Sequence, residues 1–320
     1  MTLNWNAPRY AETNGIRMAY YDQGTGVPVV MCHGFPELAF AWRHQIPAIA
    51  AAGFRAIAPD QRGYGHTDRP EAIDSYDIKH LTADLVGLLD HLKIDKAVFV
   101  GHDWGGMIVW AMPLLHPTRV AGVIGVNTPF LPRAPMDPIA LMRAAYGDDM
   151  YIVYFQKPGV ADETLAADPG KTLRFFYRKS SMTIAEFDKL PAEQRNLALV
   201  TALQTDEGLW PGAQLHSAQE HDFFLKSFTR TGFTGGINWY RNFTRNWHLM
   251  ENVIQKVNCP SLMVMADNDI VLRPAMADGM NAFVPDLEKT LIKNCGHWTQ
   301  TEQPEELNRV MTDWLKRRFG

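Results

Sequence analysis

The sequence is short of several things, and each shortage excludes something. It has only three cysteines, Cys32, Cys259 and Cys295, odd in number and far apart. That number and spacing fit reduced, buried thiols better than a disulfide framework or a zinc site. No run of about 18 apolar residues occurs, so no segment is expected to span a membrane. A dense Lys/Arg block is missing and the formal net charge is −4, which speaks against a nucleic-acid binder. The opening stretch, MTLNWNAPRYAETNG, has neither the basic nor the apolar segment of a secretory signal, so a cytoplasmic location is expected. There is no internal repeat and no low-complexity tract.

What is present is a chain of 320 residues, 46% hydrophobic and 21% charged, enough for a large core in one elaborated domain or two. Short apolar runs alternate with helical patterns, the mark of an α/β protein with a mostly parallel sheet. MAYYDQG and VPVVMCHG read as a first pair of strands, followed by FRAIAPD, AVFVGHD, VAGVIGVN, SLMVMADND and KTLIKNCGH. Strands buried on both faces read as unbroken apolar runs, as these do. HLTADLVGLLDHLKI has helical spacing, and PEELNRVMTDWLKRRF is a closing helix with acids at its start and bases at its end. From about residue 130 to 249 the strand pattern stops, and helical segments with many aromatics and methionines take its place. The expected organisation is a core of residues 1–129 and 250–320 with an inserted helical lid, 130–249, able to close over a pocket.

The stretch VGHDWGG, residues 100–106, has small residues two before and two after Asp103, the spacing of a sharp strand-to-helix turn that exposes a nucleophile. The plain alternative is a structural turn with Asp103 as helix cap. Other strand ends alter the balance. MADND delivers Asp269, with Asp267 as its rival, and NCGHW delivers His297. Nucleophile, acid and histidine then follow the chain order of α/β-hydrolases.

A carboxylate at the nucleophile position has a chemical meaning. Serine attacking a saturated carbon would form an ether, a dead end. Aspartate attacking the same carbon forms an ester that water can cleave, and it is ionised without help at neutral pH. His297, oriented by Asp269, would then activate that water. Asp103 therefore points to an epoxide or an alkyl halide. HGFPE, residues 33–37, follows a strand, where the Phe35 and Trp104 backbone N–H groups would form an oxyanion hole. The His33 side chain is read as a brace for that loop, and DQRGYGHTDRP, residues 60–70, as scaffold.

HGFPE, GHDWGG, YIVYFQKPGVADE, GGINWYRN, ADNDIVLRP and CGHWTQ together resemble the epoxide hydrolases of the α/β-hydrolase superfamily across essentially the whole chain. The resemblance implies an α/β-hydrolase fold with a cap, an ether-bond hydrolase activity giving vicinal diols with a role in detoxification, and no cofactor. It also implies two lid tyrosines that hydrogen-bond the epoxide oxygen, here Tyr151 and Tyr240, with Tyr154 one helical turn from Tyr151. It selects Asp269 over Asp267. Trp104, Phe35, Met150 and Trp239 are expected to line an apolar pocket. The expected partners are a small apolar epoxide and water, with a homodimer allowed and no nucleic acid or metal. A haloalkane dehalogenase shares the Asp-His-acid logic, but those enzymes often carry Asn where this chain has Phe35. Fluoroacetate dehalogenases typically carry Arg where Trp104 stands. A non-enzymatic ligand receptor on the same fold is the remaining alternative.

Overall fold

The computed structural model describes residues 3–320. Eight strands form one sheet: β1 (Arg9–Thr13), β2 (Ile16–Gly24), β3 (Pro28–Cys32), β4 (Arg55–Pro59), β5 (Ala97–His102), β6 (Val120–Val126), β7 (Ser261–Ala266) and β8 (Leu287–Ile292). Their order across the sheet is β1-β2-β4-β3-β5-β6-β7-β8. β1 and β2 are antiparallel to their neighbours, and the rest run parallel. The two strands read as a first pair are β2 and β3, and they do not touch: β4 lies between them. The three-residue link from β2 to β3 skips one place in the sheet, and the parallel crossover from β3 through the helix Gln45–Ala51 brings β4 into it.

Alternate residues of each central strand enter different cores. Val30, Cys32 and Phe99 pack on one face of the sheet; Val29, Met31, Val98 and Val100 pack on the other. Both faces are covered by helices, which is why these strands are apolar at every position. β1 escapes such a reading. It is an edge strand of five residues with only Ala11 and Thr13 buried, too short and too mixed to show a run.

Between β6 and β7 the described chain forms helices, the longest Ala218–Thr231, and one isolated bridge, Arg178 with Gln214. This insert is tied to the core at several points. The Tyr177 hydroxyl donates to the Pro36 carbonyl at 2.7 Å, the Trp239 indole to the Arg62 carbonyl at 3.1 Å, and the Trp298 indole to the Phe176 carbonyl at 2.8 Å. Arg43 pairs with Glu220 at 2.5 Å and Arg245 with Asp77 at 2.8 Å. The insert therefore lies over the carboxyl ends of the parallel strands, where open α/β sheets place their sites.

Candidate active site

Asp103 follows β5 directly and precedes the helix Trp104–Leu115. Its φ of 51° and ψ of −123° lie outside the regions that a side chain normally accepts. Such a residue costs on the order of 1–3 kcal/mol and survives where its surroundings over-determine it. Two glycines make the bend possible. A Cβ on Gly105 would run into the Cys32 carbonyl oxygen of β3, and one on Gly101 into the carbonyl of Gly105. The turn thereby lifts the carboxylate off the sheet. Its Oδ1 accepts the Phe35 N–H at 2.8 Å, and the Trp104 N–H also turns toward it. Burial pushes the Asp103 carboxyl above its usual range, while the charges of His297 and His102 and these two N–H groups pull it back.

Asp269 lies past the end of β7 and His297 past the end of β8. His297 Nδ1 is 2.9 Å from Asp269 Oδ2, and Nε2 is 3.8 Å from Asp103 Oδ2. Asp269 is fully occupied as an acceptor. It takes the Val271 and Leu272 N–H groups at 2.9 Å each and the Asn127 amide at 2.8 Å. Despite burial, His297 and these donors hold its carboxyl well below the carboxylate range. Burial lowers the affinity of His297 for a proton, but Asp269 and Asp103 outweigh it and raise the imidazole from 6.5 to about 9. Asp267 is turned elsewhere, accepting the Asn294 and Cys295 N–H groups at 3.1 Å each.

Tyr151 opens the helix Tyr151–Tyr154, and Tyr240 sits near the end of the helix Thr234–Arg241. Their rings meet edge-on with centroids 5.8 Å apart, and both feel the charge of Asp103. Burial, then that charge, pushes both phenols above their ordinary range. The Tyr151 hydroxyl makes no hydrogen bond with another described residue, so its proton is free for a ligand. Phe35 packs edge-on against Tyr240, and so does Trp104, at 5.4 and 5.2 Å between centroids. Tyr154 is only half-buried. Met150 is buried as the cap of the Tyr151 helix. Trp239 stands behind Trp104, on the side of His33 and Tyr64.

The family pattern of the alpha/beta hydrolase fold matches residues 27–304. Epoxide hydrolase A of Mycobacterium tuberculosis is 44% identical over 96% of this chain and 96% of its own. The crystal structure of epoxide hydrolase A from Mycobacterium thermoresistibile superposes with a TM-score of 0.86 at 42% identity, over 97% of this chain and 98% of that one. The chain belongs to the epoxide hydrolases of the α/β-hydrolase fold. A pig protein, bifunctional epoxide hydrolase 2, is 40% identical over 94% of this chain but only 54% of its own length. This chain thus spans about half of that relative.

Three buried residues of the site were not singled out from the sequence. Glu37 Oε2 accepts the Gly34 N–H at 2.8 Å and lies 2.9 Å from His102 Nδ1, while Gln300 donates to Glu37 Oε1 at 2.5 Å. His102 Nε2 is 2.7 Å from the His297 carbonyl, an acceptor, so this nitrogen carries a proton. The network joins the Phe35 loop to the His297 loop from beneath. Asn127 is a fourth omission; its amide also donates to the Gly296 carbonyl at 3.1 Å. The one local signal was position: His102, Asn127 and the HGFPE loop all stand at the carboxyl ends of strands. His33 braces its loop as expected, accepting the Gln61 N–H on Nε2 at 3.0 Å.

Proposed function

We propose that the protein hydrolyses small apolar epoxides to vicinal diols through a covalent ester on Asp103. The observation that carries this is the position of one carboxylate: Oδ1 held by the Phe35 N–H at 2.8 Å, Oδ2 3.8 Å from His297. A pair of tyrosines in edge-on contact lies within range of its charge. Asp103 Oδ2 attacks a ring carbon from the side opposite its C–O bond, and the bonding pair passes to the epoxide oxygen. Tyr151 and Tyr240 donate hydrogen bonds to that oxygen as its charge grows. Two hydroxyl donors suit an alkoxide, a poor leaving group, which disfavours the dehalogenase reading.

The proton inventory closes. At rest, the pair is Asp103 carboxylate and His297 imidazolium, as the raised imidazole implies. Ring opening needs one proton for the alkoxide, and alkylation removes the negative charge that held a proton on His297. His297 therefore loses its proton, through a tyrosine, to the new hydroxyl and becomes a base. It then takes a proton from water, whose oxygen adds to the ester carbonyl carbon. The Phe35 and Trp104 N–H groups receive the resulting oxyanion. Collapse expels the diol alkoxide, which takes the proton of the Asp103 carboxylic acid, and the resting pair is restored.

The test is a single turnover in ¹⁸O water with enzyme in excess over styrene oxide. The diol should carry little label and the Asp103 peptide should gain it, because the carboxylate oxygen leaves with the product. Heavy label in the first diol would mean direct attack by water, with Asp103 as a general base.

A further inference from the structure

The two tyrosines stand on separate helices joined through 79 residues of chain, yet their separation decides whether both can reach one oxygen. A side chain next to Tyr240 fixes it. The Arg241 guanidinium reaches across to the segment that follows Tyr151. It donates to the Phe155 carbonyl at 3.0 Å, to the Lys157 carbonyl at 3.2 Å and to Asp162 Oδ1 at 3.1 Å, and it pairs closely with Asp162 Oδ2. A further bond, 2.9 Å to Asn238 Oδ1, anchors the same fork to its own helix. Gln156 ties the helices in the opposite sense: its amide donates to the Ile152 carbonyl at 2.8 Å and to the Tyr240 carbonyl at 3.0 Å.

Between the ties sits Phe155, fully buried, with its ring 5.8 Å from that of Tyr151 and 5.1 Å from that of Tyr240. Phe155 N–H returns to the Tyr151 carbonyl at 2.9 Å. A wedge therefore keeps the helices apart while the ties keep them together. The side chains of Arg241 and Asp162 are 4% and 13% exposed. A buried ion pair is rarely more stabilising than a well-packed apolar pair of similar volume, and its best-attested use is to fix register. The planar fork of Arg, with donors fixed in direction, suits that use where Lys would not.

We propose that Arg241, held by Asp162 and backed by Gln156, is a positioning residue that sets the distance between the Tyr151 and Tyr240 hydroxyls and so controls ring opening. This rests on the proposed donor role of the tyrosines. It separates from a general structural role in two ways. Hydrolysis of the ester does not use the tyrosine pair, so it is insensitive to Arg241. The residue also loses its importance once one tyrosine hydroxyl is gone, because one donor has no partner to be spaced from.

The test is a rapid-quench cycle with styrene oxide on the wild type, Arg241→Gln, Tyr240→Phe and the double variant, following ester formation and ester decay. Arg241→Gln should slow alkylation about 10- to 100-fold, since a misplacement near 1 Å costs about that much. Ester decay should stay within about twofold. In the Tyr240→Phe background the same change should slow alkylation by less than about threefold, a strong departure from additivity. Gln156→Met removes two neutral donors without leaving a charge unpaired, and should show the same pattern at smaller size. Equal slowing in both backgrounds, or equal slowing of ester decay, overturns the positioning role while leaving the tyrosine donors intact. If Tyr240→Phe alone alkylates at the wild-type rate, the donor role itself fails, and the inference fails with it.

Discussion

Asp103, Asp269 and His297 stand on loops at the ends of β5, β7 and β8, while Tyr151 and Tyr240 ride on helices of four and eight residues in the insert. The core groups are held largely by backbone: the Phe35 N–H on Asp103, the Val271 and Leu272 N–H groups on Asp269. The insert groups are held by side chains, Arg241 and Gln156, acting across a wedge. Backbone donors cannot be mutated away and scarcely move, so they suit the atoms that make and break covalent bonds. Side-chain ties can be retuned without touching the sheet. In the proposed mechanism, the core thus carries the bond chemistry and the insert carries the charge of the opened ring.

Removing core groups should have the largest effect. Asp103→Asn should reduce diol formation by on the order of 10⁴-fold or more, as losses of a nucleophile do. His297→Gln should stop turnover almost as fully, by about 10²- to 10⁴-fold, with the block at ester hydrolysis; ring opening slows but proceeds, because the alkoxide can take its proton from water instead. Intact-protein mass spectrometry of His297→Gln should show enzyme plus one substrate mass, mapping to a peptide containing Asp103. An unmodified, folded His297→Gln after exposure to excess epoxide would count against a two-step route.

The insert comes next. Tyr151→Phe or Tyr240→Phe should each raise the alkylation barrier by about 2–4 kcal/mol, roughly 30- to 1000-fold. Ester decay should hardly change. Losing both should nearly abolish ring opening. Should either single change slow ester decay as much as ester formation, the division of labour between core and insert would be wrong.

The same two regions differ in how openly the sequence declares them. Each central strand showed as an apolar run because its alternate residues feed two cores, and Asp103 and Asp269 showed because each closes such a run; His297 follows β8, an edge strand with only Ile292 buried, and showed by its place after the last strand. The strand order did not show: nothing local says that β4 lies between β2 and β3. Glu37, His102 and Gln300 meet only because β3, β5 and β8 bring distant loops together. Tyr151 and Tyr240 emerged from family resemblance, since neither spacing nor periodicity marks one tyrosine among ten. Arg241 lies within GGINWYRN, but its role does not show there, because Asp162 lies 79 residues away and only the fold joins them.

A smaller effect is read in protonation. His297 should titrate at about 9 in the resting enzyme when followed by imidazole NMR, and Asp103→Asn should lower it. The linkage has a definite sign: a raised imidazole stabilises the fold fully below its unfolded value near 6.5, and that contribution disappears as pH rises through about 9. Relative to His297→Gln, wild-type thermal stability should therefore decline across that window. An unchanged imidazole in Asp103→Asn would dissolve the resting ion pair on which the proton inventory depends.

The smallest effect concerns stability at neutral pH, where both regions sacrifice something to hold reactive groups. Burial outweighs every favourable partner of Asp103, so its carboxyl sits above the ordinary carboxylate range. For an acid, a raised value means that the ionised form is less favourable in the fold than in the unfolded chain. Asp103→Asn keeps the shape and can still accept the Phe35 N–H, yet removes that unfavourable charge. Its Tm should rise, by roughly 1.5 °C for each kcal/mol relieved in a chain of this size. Tyr151→Phe removes a hydroxyl that bonds no other described residue and, on an otherwise buried ring, is not itself fully buried, and deleting such a group is close to neutral. Its Tm should stay within about 1–2 °C of the wild type. Differential scanning calorimetry at pH 7 reads both. A marked fall in Tm for Asp103→Asn would show that the carboxylate is a net stabiliser of its loops. A marked fall for Tyr151→Phe would show that its hydroxyl serves the fold, and its place as a free donor over Asp103 would be lost.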